Sequence, residues 1–301
     1  MSDRSARLGA FCPACRSHDV SPTGIEPIDF EGFSTSTKAF DVVRCNGCRS
    51  LFLDPPPTLT DTEQFYSEDY MSKSAHGAIL RRMVDLWDGI GARRFAKRFG
   101  ASAAVLDYGC GDGSFVQHLI AAGCTDVSGY EPMPIAPATS APIYRDLDAL
   151  IETGKRFDVI RLHNSIEHLV EVDATMSKLR ALLEPGGCVS GETANGAHLS
   201  SKTFGALWGY LHYPYHTVIF SPRGLIEAAR RWGYSKAETR DTLTPGAWSF
   251  TFEHAAKKWL GITRRGHLAV YPLMLLASGP PVLLDRLLPG RTTAMFFRLD
   301  A

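Results

Sequence analysis

The chain has 301 residues, 45% of them apolar and 21% charged, an ordinary globular composition that excludes a disordered or fibrous polymer. Lysine plus arginine and aspartate plus glutamate each number 32, so no overall basic field points to a nucleic-acid partner. The length predicts two domains at roughly 150 residues each, and the polar N-terminus, with Asp3, Arg4 and Arg7, predicts no secretory signal.

Residues 1–57 read as a small zinc ribbon. Four of the seven cysteines stand in two pairs, Cys12-Pro13-Ala14-Cys15 and Cys45-Asn46-Gly47-Cys48. A two-residue gap lets a tight knuckle aim two thiolates at one ion, and four thiolates suit tetrahedral zinc. Scattered buried thiols, a redox pair or an iron–sulfur centre are the alternatives. Val42, Val43, Leu51, Phe52 and Leu53 flank the second knuckle as strand material. The unit has too little apolar mass to fold alone, so the metal supplies folding energy; four protein ligands leave no open position for chemistry. Cys110, Cys124 and Cys188 sit in apolar segments as small hydrophobes. Reduced zinc thiolates fit a cytoplasmic location.

Pro55, Pro56 and Pro57 end the ribbon. Residues 58–100 read as a helical connector and cap. Ile79, Met83, Leu86 and Ile90 recur at helical spacing, with Arg81, Arg82, Arg93, Arg94, Lys97 and Arg98 as a solvated face.

The pattern changes in residues 101–301. Strands at Ala104–Asp107, Val127–Tyr130, Phe157–Leu162 and Cys188–Thr193 alternate with helices at Ser114–Ala122, Met176–Leu183 and Leu225–Trp232. This predicts an α/β fold with a mostly parallel sheet covered on both faces. Thr251-Phe252 and Ala294–Leu299 are late strand candidates. Leu268 to Leu284 is the longest apolar stretch, broken by Pro272, Gly279, Pro280 and Pro281. A spanning helix needs about 20 apolar residues, so the expectation is a buried helix or strand pair and no transmembrane segment, with a surface-lying membrane segment as the alternative.

Between the first strand and its helix lies Asp107-Tyr108-Gly109-Cys110-Gly111-Asp112-Gly113. Glycines let backbone approach a ligand, and the helix N-terminus that follows favours negative charge. The spacing Gly109-x-Gly111-x-Gly113 is neither the dinucleotide fingerprint nor a phosphate-binding Walker loop. A carboxylate at Asp107 would repel a pyrophosphate but hold an ammonium. Glu131, ending the second strand, can take two ribose hydroxyls. A small cationic nucleoside fits these features better than a dinucleotide.

From Ala103 to Tyr234 the chain resembles a class I S-adenosylmethionine-dependent methyltransferase, with its Rossmann-like sheet. The matching blocks are Val105 to Gly113, Gly129-Tyr130-Glu131-Pro132, Phe157-Asp158-Val159-Ile160, Ile166-Glu167-His168 and Leu182 to Gly187. The cysteine pairs, followed by Phe65-Tyr66-Ser67-Glu68-Asp69-Tyr70, resemble a subgroup with an N-terminal zinc-binding domain that modifies sugars or other metabolites in bacterial biosynthesis. The resemblance implies that the glycine loop holds the methionine and ribose portions of S-adenosyl-L-methionine and that Glu131 takes the ribose hydroxyls. It places Asp146 near the adenine, His163 and Asn164 on the sulfonium side, and Tyr66 and Tyr70 over the cofactor. One departure is visible: Pro132, Pro134, Pro137 and Pro142 replace the usual helix after Glu131 by a loop, because proline blocks interior helix bonds.

For the chemistry, the segment Leu211 to Ser221 resembles a family stretch whose histidine is a candidate base in sugar C-methyltransferases. His216 is its counterpart; a structural histidine that fastens the loop is the alternative. Tyr213, or Tyr215, is expected to donate to a substrate oxygen, and Glu192 to orient substrate or His216. Glu167-His168 resembles a pair common in this family and is expected to order the helix after the fourth strand, with a catalytic role as the alternative. His198 and His267 are read as surface groups, and Trp208 as a substrate wall. A cap insertion is expected around residues 196–221. The function expected is methyl transfer to an oxygen or carbon of a small-molecule substrate, a sugar or natural-product intermediate, with no nucleic acid and an open oligomeric state. The alternatives are an inactive scaffold recruiting a partner through its ribbon, and a non-methylating enzyme using the same cofactor.

Overall fold

The computed structural model describes residues 11–66, 78–287 and 292–301. Strands β1 (Val20–Pro22), β2 (Asp41–Cys45) and β3 (Leu51–Asp54) pair antiparallel. Helix α1 (Leu59–Phe65) opens with a capping box: Thr58 accepts from the Asp61 amide, and the Asp61 carboxylate accepts from the Thr58 amide. Lys38 Nζ adds a 2.7 Å contact to the same carboxylate. Tyr70 lies outside the described residues, as does the segment around it.

Helix α2 (Ala78–Phe99) is long and only weakly amphipathic. Its basic residues are solvated as expected. The expected apolar face differs, however: Leu80 and Ala92 are buried, while Leu86 is exposed and Trp87 is 65% exposed. Both sides of this helix carry large apolar groups, so spacing alone did not identify the packed side.

The main sheet comprises β4 (Ala104–Tyr108), β5 (Asp126–Tyr130), β6 (Ile143–Tyr144), β7 (Phe157–His163), β8 (Leu183–Ala194), β10 (Lys236–Thr242) and β11 (Ala294–Asp300). Its order is β10-β11-β8-β7-β4-β5-β6. The five strands from β8 to β6 are parallel, and β11 runs antiparallel to both β8 and β10. Central strands buried on both faces read as continuous apolar runs, as Ala104-Val105-Leu106 does. Helices α3 (Ser114–Ala121), α4 (Leu147–Glu152) and α5 (Val172–Ala181) alternate with these strands. From β4 the chain steps one way to β5 and β6, then returns to β7 on the other side. The carboxyl ends of β4 and β7 thus form a topological switch point, where such sheets bind ligands.

Gly191 of β8 lies opposite Leu162 of β7. A Cβ added there would sit 1.5 Å from the Leu162 carbonyl oxygen. Gly191→Ala is expected to cost at least ~1–3 kcal/mol of stability, read as a lower urea midpoint; an unchanged midpoint would mean that β7 and β8 pair in another register.

After β8 comes α6 (Ser200–Thr203), then two 3₁₀ turns at Gly205–Leu207 and Gly209–Leu211, then β9 (Val218–Ile219). Strand β9 pairs with β3 of the ribbon, Leu51 opposite Ile219, so the N-terminal sheet is completed by a segment from far along the chain. This explains why Leu51, Phe52 and Leu53 are all buried: β3 is an interior strand. Trp208, expected as a substrate wall, is fully buried in a core with Phe40, Phe65 and Leu211.

Helix α7 (Pro222–Arg231) is capped by Ser221, with proline in the first turn. Thr251-Phe252 is not a strand but part of α8 (Gly246–Leu260). The Leu268–Leu284 stretch forms two short helices, α9 (Tyr271–Ala277) and α10 (Gly279–Arg286), as its proline and glycine breaks imply. It is not buried: Leu273, Leu276, Leu283 and Leu284 are exposed. No helix among the described residues is long and apolar enough to cross a membrane. His198 and His267 are not surface groups either. His198 Nδ1 lies 2.7 Å from Ser200 Oγ with Asp285 at 3.4 Å, and His267 Nδ1 lies 2.7 Å from Glu253. A buried polar group needs such partners, and they come from residues that sequence spacing does not connect.

Candidate functional site

The four paired cysteines come together. Their Sγ atoms all lie within 4.8 Å of one another, with Cys12–Cys48 at 3.6 Å and Cys15–Cys45 at 3.5 Å, and none is in a disulfide. A zinc tetrahedron with Zn–S of about 2.3 Å places sulfurs roughly 3.8 Å apart, so these thiols fit the ion. Their hydrogen bond pulls the Cys48 thiol down to about 5 and, with burial, pushes Cys12 up. The cluster sits on the first turn of α7. Ser221 N–H donates to Ser50 Oγ at 3.0 Å, Ser221 Oγ donates to the Cys48 carbonyl, and a Cβ at Gly224 would meet Cys48 Sγ at 3.1 Å. Arg231 at the far end of α7 donates to the Pro13 and Ala14 carbonyls and to Asp173.

The glycine loop leaves β4 at the switch point. Gly109, Gly111 and Gly113 all have positive φ (73°, 58° and 79°), which L side chains rarely adopt. Gly113 is the N-cap of α3, and a Cβ there would sit 2.5 Å from Thr139 Cγ2. The proline-rich segment after Glu131 therefore lies against the loop. It forms no helix until Leu147, as the prolines predict. Arg145 pins it by donating to the carbonyls of Glu131, Met133 and Ile135. Glu131 follows β5, with one carboxylate oxygen 3.0 Å from the Gly111 amide and the other 3.1 Å from the Met133 amide. A carboxylate has about four acceptor sites, so a bound diol is compatible with both bonds. Asp146 is exposed and caps α4, accepting from the Asp148 and Ala149 amides.

Asp107 is almost fully buried, and Arg161 of β7 donates to it at 2.7 Å. The Arg161 guanidinium also lies 3.6 Å from the Phe115 ring centre, at the start of α3. Asp107 is thus half of a buried ion pair, two residues before the loop. Sequence reasoning passed over Arg161; the signal was a lone arginine inside the apolar strand Val159-Ile160-Arg161-Leu162.

Period-two alternation puts Arg161 and His163 of β7 on the same face as Ser190 and Glu192 of β8, in register, with Phe296 of β11 opposite Glu192. These residues floor a cleft of 670 Å³. Its walls are Phe115, the α2 residues Met83, Trp87, Phe95 and Phe99, and Thr242 to Gly246 between β10 and α8. Burial pushes the Glu192 carboxyl up to about 7, with Arg161 opposing the shift. Asn164 follows in a left-handed conformation, φ 51°, its amide donating to the Glu192 carbonyl at 2.8 Å.

Of the expected catalytic trio, only Glu192 lines this cleft. Tyr213 Oη accepts from the Phe40 amide and its ring packs against Phe40. His216 is buried among His168 and His212, and burial, then those two neighbours, hold its imidazole well below the usual range. Tyr66 Oη lies 2.7 Å from His168 Nδ1. Glu167 is fully buried, accepts from Thr193 Oγ1 at 2.9 Å, and receives the Thr217 amide on its carbonyl. It thereby ties the turn after β7 to the segment entering β9.

The methyltransferase domain family matches residues 80–239, more than half of the chain. A ubiquinone biosynthesis O-methyltransferase of Methylobacterium nodulans is 34% identical over 103 residues, covering 31% of this chain and 41% of that protein. One of Brucella ovis is 30% identical over 100 residues, covering 30% of this chain and 40% of that protein. The match spans about two-fifths of the length of these relatives. Among solved structures, a SAM dependent methyltransferase from Archaeoglobus fulgidus is similar at a TM-score of 0.48 and 14% identity, over 72% of this chain and 94% of that one.

Proposed function

The chain belongs to the methyltransferase domain family, and from that premise we propose that it transfers a methyl group from S-adenosylmethionine to a hydroxyl oxygen of a small, largely apolar metabolite. The observation that carries this reading is Glu192, a half-buried carboxyl on the floor of a 670 Å³ cleft walled mainly by aromatic and aliphatic side chains. Oxygen is favoured over carbon because a carboxylate of that strength suits an acidic hydroxyl and because the matched relatives are named O-methyltransferases.

The cofactor, when bound, supplies an electrophilic methyl on a positively charged sulfur. In this reading the glycine loop presents backbone to the methionine and ribose portions, and Glu131 accepts from the ribose hydroxyls. Asp107, balanced by Arg161, faces the amino group. His163 lines the cleft on the methyl side, with Asn164 next to it in the chain, and Glu192 takes the acceptor's proton as the oxygen–carbon bond forms. Much of the rate comes from holding the acceptor in line. The four-cysteine cluster holds zinc in a structural role, since its thiolates fill a tetrahedron.

Two measurements test this. Incubation with methyl-labelled cofactor and a panel of phenols, sugars and carbon acids is expected to label phenolic hydroxyls. Cofactor binding without transfer to any acceptor would favour the reading of a binding scaffold. Glu131→Ala is expected to weaken S-adenosylhomocysteine binding by about 10- to 100-fold, from loss of charge-assisted hydrogen bonds, by calorimetry. An unchanged affinity would remove Glu131 from the cofactor site.

A further inference from the structure

We propose that His168, His212 and His216 form a second metal site, taking one divalent transition ion of the zinc class. One ring nitrogen from each residue lies within 4.8 Å of the other two. They come from two irregular segments, His212 and His216 sharing one turn closed by the His216 amide on the His212 carbonyl. His168 ends the 3₁₀ turn after β7, His212 caps the turn Gly209–Leu211, and His216 stands two residues before β9.

The rings do not stack. His168–His212, His168–His216 and His212–His216 cross at 87°, 83° and 85°. Crossed rings are compatible with the close approach of their nitrogens, which stacked rings would hold apart. Two rings are oriented by hydrogen bonds at Nδ1. His216 Nδ1 lies 2.8 Å from the Tyr210 carbonyl, an acceptor, so Nδ1 carries the proton and Nε2 the lone pair. His168 Nδ1 lies 2.7 Å from Tyr66 Oη. Such outer bonds are what fix metal-binding histidines. His212 adopts a left-handed backbone, φ 36° and ψ 52°, unusual for a residue other than glycine and a recurrent feature of functional sites. The Glu31 carboxylate lies 3.6 Å from His212 Nε2 and offsets positive charge there.

Imidazole donors select zinc, copper, nickel or iron over magnesium or calcium, which prefer oxygen. Three protein nitrogens leave a fourth position open. His168 and His212 are half-buried and His216 is buried. The site is distinct from the thiolate cluster, and the inference does not rest on the methyl-transfer reading.

The test uses the full chain without an affinity tag, equilibrated by dialysis against micromolar zinc or cobalt, with metal counted by mass spectrometry. Two ions per chain are expected. Cobalt at the cysteines gives an intense thiolate charge-transfer band; cobalt at the histidines adds only weaker visible bands. His212→Asn keeps a residue that tolerates the left-handed backbone, and His216→Gln probes a second ligand. Each is expected to lower the count to one and remove the weaker bands, leaving the thiolate band intact. One ion in the wild type, carried by the thiolates, would overturn the proposal. Two ions retained in a folded His212→Asn protein would do the same.

Discussion

Cys45→Ser is expected to lower the melting temperature of the whole chain by about 10 °C or more, taking a zinc site to contribute several kcal/mol and each kcal/mol to shift a chain of this size by about 2–4 °C. The reason lies in how the ribbon is built in. Cys12, Cys45 and Cys48 share one apolar core with Phe220, Leu225, Ala228 and Trp232 around α7, and with Leu162, Leu179 and Val189 of the main domain. The ribbon sheet is closed by β9, which belongs to the segment after β8. Losing the metal would therefore loosen α7 and β9 together with the knuckles. Calorimetry should show a single shifted transition, and a chelator should reproduce the shift in the wild type. A separate low-temperature transition, with the main one unmoved, would show that the ribbon unfolds on its own.

What the sequence made legible is what local chemistry controls. The cysteine spacing, the glycines between a strand and a helix, and the prolines after Glu131 each constrain a few neighbouring residues. All three features stand where they were expected. The alternation of strands and helices predicted the parallel centre of the sheet for the same reason.

The features that escaped are long-range. Nothing near Val218 or Ile219 announces that two residues will complete a sheet begun before Asp54. Arg161 and Asp107 meet because two strands lie side by side in one register. The histidine cluster draws on turns, where no periodicity places side chains. His216 was singled out for its segment, but its position beside His168 and His212 depends on how Glu167 and Thr217 bind the two segments. The exposed leucines of α9 and α10 make a related point, since hydropathy identifies apolar residues without saying what covers them.

Glu192→Gln is expected to reduce kcat/KM by about 10²–10⁴-fold, the usual worth of a positioned general base, with cofactor affinity unchanged. The pH dependence fixes the sign. A base accepts a proton only when ionised, so activity of the wild type should rise as pH passes through about 7, where burial holds this carboxyl. Below that, the rate should fall about tenfold per pH unit, and the variant should lose this limb. Stability should move oppositely. The folded-state value stands above the ordinary 4.5, so the folded chain favours the protonated acid. That contribution is fully present below 4.5 and is lost as pH rises through about 7. A neutral glutamine has no such loss, so at pH 8 the variant should melt at or above the wild-type temperature. A residue that merely supports the cleft would lose activity and stability together, whereas a base loses activity alone. Retention of full kcat/KM in Glu192→Gln would move the proton acceptor elsewhere in the cleft.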